Sequence, residues 1–340
     1  MSHKNENISI KDVAKMAGVS TSTVSRVLNS KIGFSEDTEI KVQKAIQQLN
    51  YQPNNIARNL KSQTSNLIAF SVPTLWHPYI SELLYKIESE LNHHSFRTVV
   101  SSNSNDPKQE KEFLKMAREN KVAGIIAISY NEIEPYLETN IPFISIDRYF
   151  DTEKFKNVAV VTSDNYQGGK IALRELIRRG AEKIAFLGNY DAYLNNAMDR
   201  KKGFLDEAKK YKINIDVFEK PNNQEKNHLL LNSFIENIDK YDGLFVINDE
   251  TALYLLQKIE HLSINIPNDL QIIGFDGSNY LKDIPSPVTS LVQSTDDIAK
   301  ASVETLISII KKQKFQKEII FPVQFRQGKT TRHFTNNNWF

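Results

Sequence analysis

Five polar clusters stand where an apolar run stops: Ser71, Asp147-Arg148, Asp164-Asn165, Asn248-Asp249 and Asp276. Open α/β sheets bind ligands beyond the carboxyl ends of their strands, so these residues are the first candidates for chemistry. Carboxylates and amides converging on a cleft suit the recognition of hydroxyl groups, each of which donates and accepts. Helix capping competes with ligand contact at every one of them. Asp164 ahead of Tyr166 and Asp249 ahead of Ala252 are residue types that cap well. Catalytic patterns are missing. The seven histidines are scattered without an HExxH, and neither GxSxG nor GxxxxGK[ST] occurs. Gly168-Gly169 after Asn165 reads as a helix start without the full GxGxxG spacing. His93 and His94 are adjacent near a helix end, so they share no helical face that would hold a metal. With no cysteine there is neither a disulfide framework nor a thiolate-bound zinc. No catalytic residue, metal or cofactor is assigned, and the chain reads as a binding protein rather than an enzyme.

A second chemistry-bearing set lies near the N-terminus: Thr21, Ser22, Thr23, Ser25, Arg26 and Asn29. Val24, Val27 and Leu28 form the apolar stripe of the same helix, which leaves these six facing outward. Short hydroxyls bond phosphates or base edges, and an arginine forks onto guanine or phosphate. The preceding helix starts with a capping box, Ser9 and Asp12, and ends at Gly18; Ser20 and Ser35 cap the next two. Two helices joined by a tight turn, the second short and polar, predict a helix-turn-helix that enters a major groove. A generic three-helix bundle with a solvated face is the alternative. Residues 1–62 carry nine Lys or Arg against five Asp or Glu, while the whole chain is only +2. A basic head on a slightly acidic body is an electrostatic footprint for nucleic acid.

The stretch IKDVAKMAGVSTSTVSRVLN, followed by NYQPNNIARNLKS, resembles the head of the LacI/GalR (lactose/purine repressor) family of transcriptional regulators. The resemblance implies phosphate contacts by Ser9 and Asn29, and places Thr21, Ser22 and Arg26 against bases. It further implies that residues 53–61 form a hinge, helical only on operator DNA. Asn54 and Ala57 would touch the minor groove there, Lys61 would join the contact, and Leu60 would wedge between base pairs. An apolar wedge unstacks a step and kinks the duplex; a linker leucine packing on the body is the alternative. In the body, Arg200 matches the arginine that such proteins use to hold an effector, and Asp276 the effector-binding aspartate. Asp147, Asn248 and Gln293 fall at matching cleft positions, and Ser71 ends the first strand run. Arg200 as a surface ion-pair partner is the plainer reading. The loop Leu75-Trp76-His77-Pro78-Tyr79 departs from the commoner Asn-Pro-Phe form. Trp76 or Tyr79 can stack on a sugar face, and Trp76 can equally pack at a subunit interface.

These residues need elements to hold them. From residue 66 onward apolar strand runs alternate with amphipathic helices, which indicates parallel sheets covered on both faces. The fold expected is an all-α helix-turn-helix head plus an α/β body of two doubly wound parallel-sheet subdomains of periplasmic-binding-protein type. The boundaries expected are 1–50 for the head, 51–62 for the hinge helix and 63–331 for the body, with 332–340 as a tail. The first subdomain takes 63–161 and 294–321, the second 162–293 and 322–331. After Ser290 the pattern predicts one strand, a helix over 296–312 and one more strand. No signal-type apolar region opens the chain, and no run approaches the roughly 18 apolar residues a membrane span needs, so a cytoplasmic protein is expected. Expected partners are pseudo-palindromic operator DNA, a second copy of the chain and a small effector, a sugar in the first instance. A nucleobase or a phosphoprotein corepressor is the alternative, and a sugar-binding protein with an unrelated head is the reading without DNA.

Overall fold

The computed structural model describes residues 8–28, 33–51, 65–137, 140–190, 196–221, 224–279, 284 and 286–334. The chain divides into two compact units, 1–65 and 66–340.

In the first unit, α1 (Ile10–Ala17), α2 (Thr21–Leu28) and α3 (Glu36–Gln48) bury one small core of Val13, Ala14, Val24, Val27, Val42 and Ala45. The core is valine and alanine because three short helices leave little room between their axes. Helix α1 stops at Gly18, which adopts φ 65° and so closes the helix without a Cβ penalty. The Ser20 hydroxyl accepts from the Thr23 amide at 3.1 Å and starts α2. Ser35 does the same for α3 through the Thr38 amide at 3.3 Å.

The second unit contains two six-stranded sheets. The first orders its strands β11-β5-β4-β3-β1-β2. They are β1 (Leu67–Val72), β2 (Arg97–Ser102), β3 (Gly124–Ile128), β4 (Phe143–Ile146), β5 (Val158–Ser163) and β11 (Glu318–Phe321), all parallel. The second runs β12-β10-β9-β8-β6-β7. It comprises β6 (Ile184–Tyr190), β7 (Ile215–Pro221), β8 (Gly243–Val246), β9 (Gln271–Asp276), β10 (Thr289–Val292) and β12 (Gln324–Arg326), with only β12 antiparallel. Strands such as GIIAI in β3 and VAVVTS in β5 are buried at every residue, as expected of strands covered on both faces.

Helices α4 (Pro78–His93), α5 (Pro107–Glu119) and α10 (Thr295–Ile310) serve the first sheet. Helices α6 (Asn165–Arg178), α7 (Asn196–Tyr211), α8 (Gln224–Ile235) and α9 (Asp249–Ile259) serve the second. The fold class expected from the alternating pattern is the one observed. One element differs: the single strand expected after α10 is two, β11 and β12, in different sheets. Pro322 follows β11 directly and has no amide proton to continue a ladder, so the chain leaves the first sheet there.

Candidate functional site

The carboxyl ends of β4 and β9 each deliver an aspartate. Asp147 follows β4 with φ 57° and Asp276 closes β9 with φ 99°. Non-glycine residues seldom hold positive φ, and they do so where the surroundings over-determine the backbone. Both carboxyls are tied down. Tyr79 Oη donates to Asp147 Oδ2 at 2.9 Å and Thr162 Oγ1 to Oδ1 at 3.1 Å. Gln293 Nε2 donates to Asp276 Oδ1 at 2.8 Å. Burial raises the Asp147 carboxyl above its usual range, against the opposing pull of the Arg200 charge. Burial and the neighbouring Asp147 push the Tyr79 hydroxyl well above its ordinary value, so it stays a donor.

Arg200 reaches the same place from α7. Its Nε donates to Asn165 Oδ1 at 2.7 Å and its Nη1 to the Ile247 carbonyl at 2.8 Å, while Nη2 lies 3.3 Å from Asp276 Oδ1. The guanidinium sits 3.7 Å above the centre of the Phe275 ring. A close crossing of α6 and α7 brings Arg200 and Asn165 together. A Cβ on Gly169 would stand 2.0 Å from the Arg200 carbonyl oxygen, and one on Gly203 would stand 1.9 Å from that of Tyr166. Only glycine permits the approach at these two positions.

Asp249, fully buried at the start of α9, accepts from the Ser278 amide at 2.9 Å. Burial first, and then the charge of Asp276, push its carboxyl up to about 8. His77 stands in the loop ahead of α4, in the first-sheet half. Its Nε2 lies 3.7 Å from Asp276 Oδ2, 3.8 Å from Glu250 Oε2 and 3.5 Å from Asn248 Nδ2, all in the second-sheet half. His77 is therefore one point at which the two halves meet, its imidazole facing two carboxylates and an amide.

Of the residues singled out in the sequence, Tyr79, Asp147, Arg200, Asp276 and Gln293 come together in this buried network, and Asn248 touches it through His77. Asn248 is also the α9 cap, its Oδ1 accepting from the Thr251 amide at 2.9 Å. Asp164 caps α6 by accepting from the Gln167 amide at 2.9 Å. Two candidates stand differently. Ser71 is buried on β1 with its hydroxyl held by Asn103 Nδ2 at 3.2 Å. Trp76 is 92% exposed and stacks in no cleft. Arg148 turns into the first-sheet half, where Glu134 holds its Nη2 with both oxygens at 2.8 Å. His77 and Thr162 were not foreseen. The only signal for His77 was a histidine directly before the proline that opens α4.

On the head, Thr21, Ser22 and Arg26 are exposed, whereas Thr23 and Ser25 are half-buried. Ser22 and Thr23 share hydroxyl hydrogen bonds with Ser20 at 2.7 and 2.9 Å, which pre-sets the start of α2. Ser9 donates its amide and hydroxyl to Asp12 Oδ2 at 2.9 and 2.7 Å, and these bonds hold that carboxyl below its ordinary value. Asn29, Asn54, Ala57, Leu60 and Lys61 lie outside the described residues. Among the described residues no three His, Asp or Glu side chains group as a metal would require, and no helix is long and apolar enough to cross a membrane.

Residues 9–54 match the profile of the bacterial regulatory proteins of the lacI family, and residues 173–331 that of the periplasmic binding protein-like domain. The chain is 33% identical over 322 residues to the sucrose operon repressor of Streptococcus mutans, covering 94% of this chain and 98% of that protein. A periplasmic binding protein/LacI transcriptional regulator from Alkaliphilus metalliredigens, complexed with D-xylulofuranose, superposes with a TM-score of 0.71 at 28% identity. The match covers 79% of this chain and all of that one. The lac repressor dimer bound to operator and an anti-inducer superposes with a TM-score of 0.81 at 22% identity, over 96% of this chain and 99% of that one.

Proposed function

The chain belongs to the lacI family of bacterial regulatory proteins, and from that premise we propose that it represses a carbohydrate-utilisation operon under the control of a sugar. It is a DNA-binding transcriptional repressor. The observation that carries the sugar reading is the buried network of Tyr79, Asp147, Arg200, Asp276 and Gln293. It gathers carboxylates, a guanidinium and an amide at the strand ends of two facing sheets. The relative matched over nearly the whole chain represses a sucrose operon, and a structural neighbour carries a bound ketopentose.

In this reading Thr21, Ser22 and Arg26 face base edges, and Ser9 faces a phosphate. A homodimer places two heads on a pseudo-palindromic operator, since two-fold symmetry matches half-site symmetry. The sugar acts by binding one arrangement of the two body halves better than another, and it shifts the equilibrium only by that difference. The role is binding and switching in the cytoplasm, without a catalytic step.

Selection of duplexes from a random library tests this, with binding of the winner then measured at fixed salt. A pseudo-palindromic site preferred over scrambled DNA by about a thousandfold or more is expected. Arg26→Ala should shrink that ratio, and a sugar should change the operator affinity by about tenfold or more. Random, unselective enrichment would overturn the reading.

A further inference from the structure

The strands of the first sheet are all parallel, so the loops that run from a helix into one of them gather along a single edge, the amino edge. There are three: 94–96 from α4 to β2, 120–123 from α5 to β3 and 311–317 from α10 to β11. They carry Lys121, Lys311, Lys312, Lys314 and Lys317, and no Asp or Glu. The equivalent loops of the second sheet are 179–183, 212–214, 236–242 and 260–270. Those carry four Lys or Arg against six Asp or Glu. Lysines collect at helix C-termini because the helix dipole favours them there. That effect is common to both sheets, so it does not explain why one edge lacks acidic residues.

The imbalance holds in space as well. Carboxylates flanking these loops in the chain are engaged elsewhere: Glu119 by Lys115 at 3.8 Å, Asp151 by Lys154 at 3.1 Å and Glu153 by Lys317 at 3.2 Å. Lys121, Lys156, Lys311, Lys312 and Lys314 are exposed, and none of them is in an ion pair among the described residues. Strands β3, β4, β5 and β11 are consecutive in the sheet, with Lys156 just ahead of β5. At about 4.8 Å per strand, Lys121 and the 311–317 loop stand about 14 Å apart along the edge. Phosphates of one DNA strand recur about every 3.4 Å along the helix axis, so the row spans roughly four of them. The chain also leaves for the head from this edge. The Arg97 amide donates to the Asn66 carbonyl at 2.8 Å, and Leu67 opens β1.

We propose that the amino edge of the first sheet is a second DNA contact, independent of sequence, in which Lys121, Lys156, Lys311, Lys312 and Lys314 neutralise phosphates of the duplex flanking the operator. Ammonium groups on flexible stems are point charges that suit phosphates, and they read no base edge. Each phosphate so neutralised releases condensed counterions. The contact therefore shows as added salt dependence and not as added sequence preference.

The test is binding of the full chain to its selected operator, first as a duplex of about 20 base pairs and then with flanks that extend it to about 60. Both are titrated between about 0.05 and 0.2 M KCl. The slope of log Kd against log salt is expected to be steeper by about 2 for the long duplex, so that flanks add about tenfold more affinity at the low-salt end than at the high. Lys311→Gln, Lys312→Gln and Lys314→Gln together should abolish that difference while leaving the short duplex bound as before. Arg at the same three positions should preserve it. Lys183→Gln and Lys212→Gln, on the equivalent loops of the second sheet, should leave it untouched. Equal slopes for the two duplexes in the parent overturn the proposal. It is overturned too if the triple Gln variant loses the short duplex as much as the long, since the lysines then act through the fold or the head. A flank contribution that changes by more than about tenfold when the flank sequence is scrambled overturns it as well, because phosphate contacts carry no sequence information.

Discussion

Asp249 sits between two demands. Its neighbour Asn248 caps α9, so Asp249 is free to turn inward, where Gly274 has no Cβ to oppose it. Inside, its carboxyl titrates at about 8, raised by burial and by Asp276. In the unfolded chain the same group ionises near pH 4. Between those values the folded state holds a proton that the unfolded state has lost. The unfolded state binds fewer protons, so stability falls as pH rises from about 4 to about 8 and is level above that. The contribution is about 1.4 kcal/mol per pH unit within that window. Asp249→Asn keeps the acceptor for the Ser278 amide and resembles the protonated acid, so its stability should lack this slope. Urea unfolding of both proteins from pH 5.5 to 8.5 checks it: the variant should gain on the parent steadily towards pH 8. Parallel curves would mean that Asp249 is already ionised in the folded protein.

At the scale of elements, the site depends on how closely two helices cross. Arg200 reaches Asn165 and Asp276 because Gly169 and Gly203 let the α6 and α7 backbones meet, with no room for a methyl on either side. Gly203→Ala must push the helices apart, and forced overpacking of this kind costs about 1–3 kcal/mol. The crossing angle carries Arg200 with it, so sugar affinity should fall as well, whereas Gly180→Ala, away from the crossing, should leave affinity unchanged. Chemical denaturation and calorimetry on the two variants separate these effects. The contrast also marks what could be read without coordinates. Strands such as β3 and β5 were legible because burial on both faces writes them as unbroken apolar runs. Asp147 and Asp276 were legible because the ends of such runs are where open sheets bind. Gly168-Gly169 read only as a helix start, since the purpose of Gly169 depends on a helix about thirty residues away, where Gly203 answers it. Pro322 ended β11 within a stretch whose hydrophobicity alone predicted one strand. His77 and Thr162 carried no local pattern, because their partners lie on elements that meet only after folding. Trp76 offered the strongest aromatic signal in its loop and stands in solvent, since nothing in sequence spacing says which side of a loop faces the cleft.

At the scale of the whole molecule, His77 is the residue through which the first-sheet half touches Asp276, Glu250 and Asn248 of the second. Contacts at 3.5–3.8 Å are weak individually, and removing them should shift an equilibrium between two arrangements of the halves by about two- to tenfold. Operator DNA and sugar each select an arrangement, and linkage ties their effects on one another to the same factor. A shift in the balance must therefore appear in both affinities at once. Where the sugar weakens operator binding, His77→Ala should move the operator and sugar affinities in opposite directions. Where it strengthens operator binding, both should move the same way. Titrating operator without sugar, and sugar without operator, on the parent and the variant gives the two signs. A variant in which only the sugar affinity changes makes His77 a ligand contact and nothing more. A change in both with the required signs makes it part of the switch, because a residue that merely touched the sugar could not alter DNA binding in the sugar's absence.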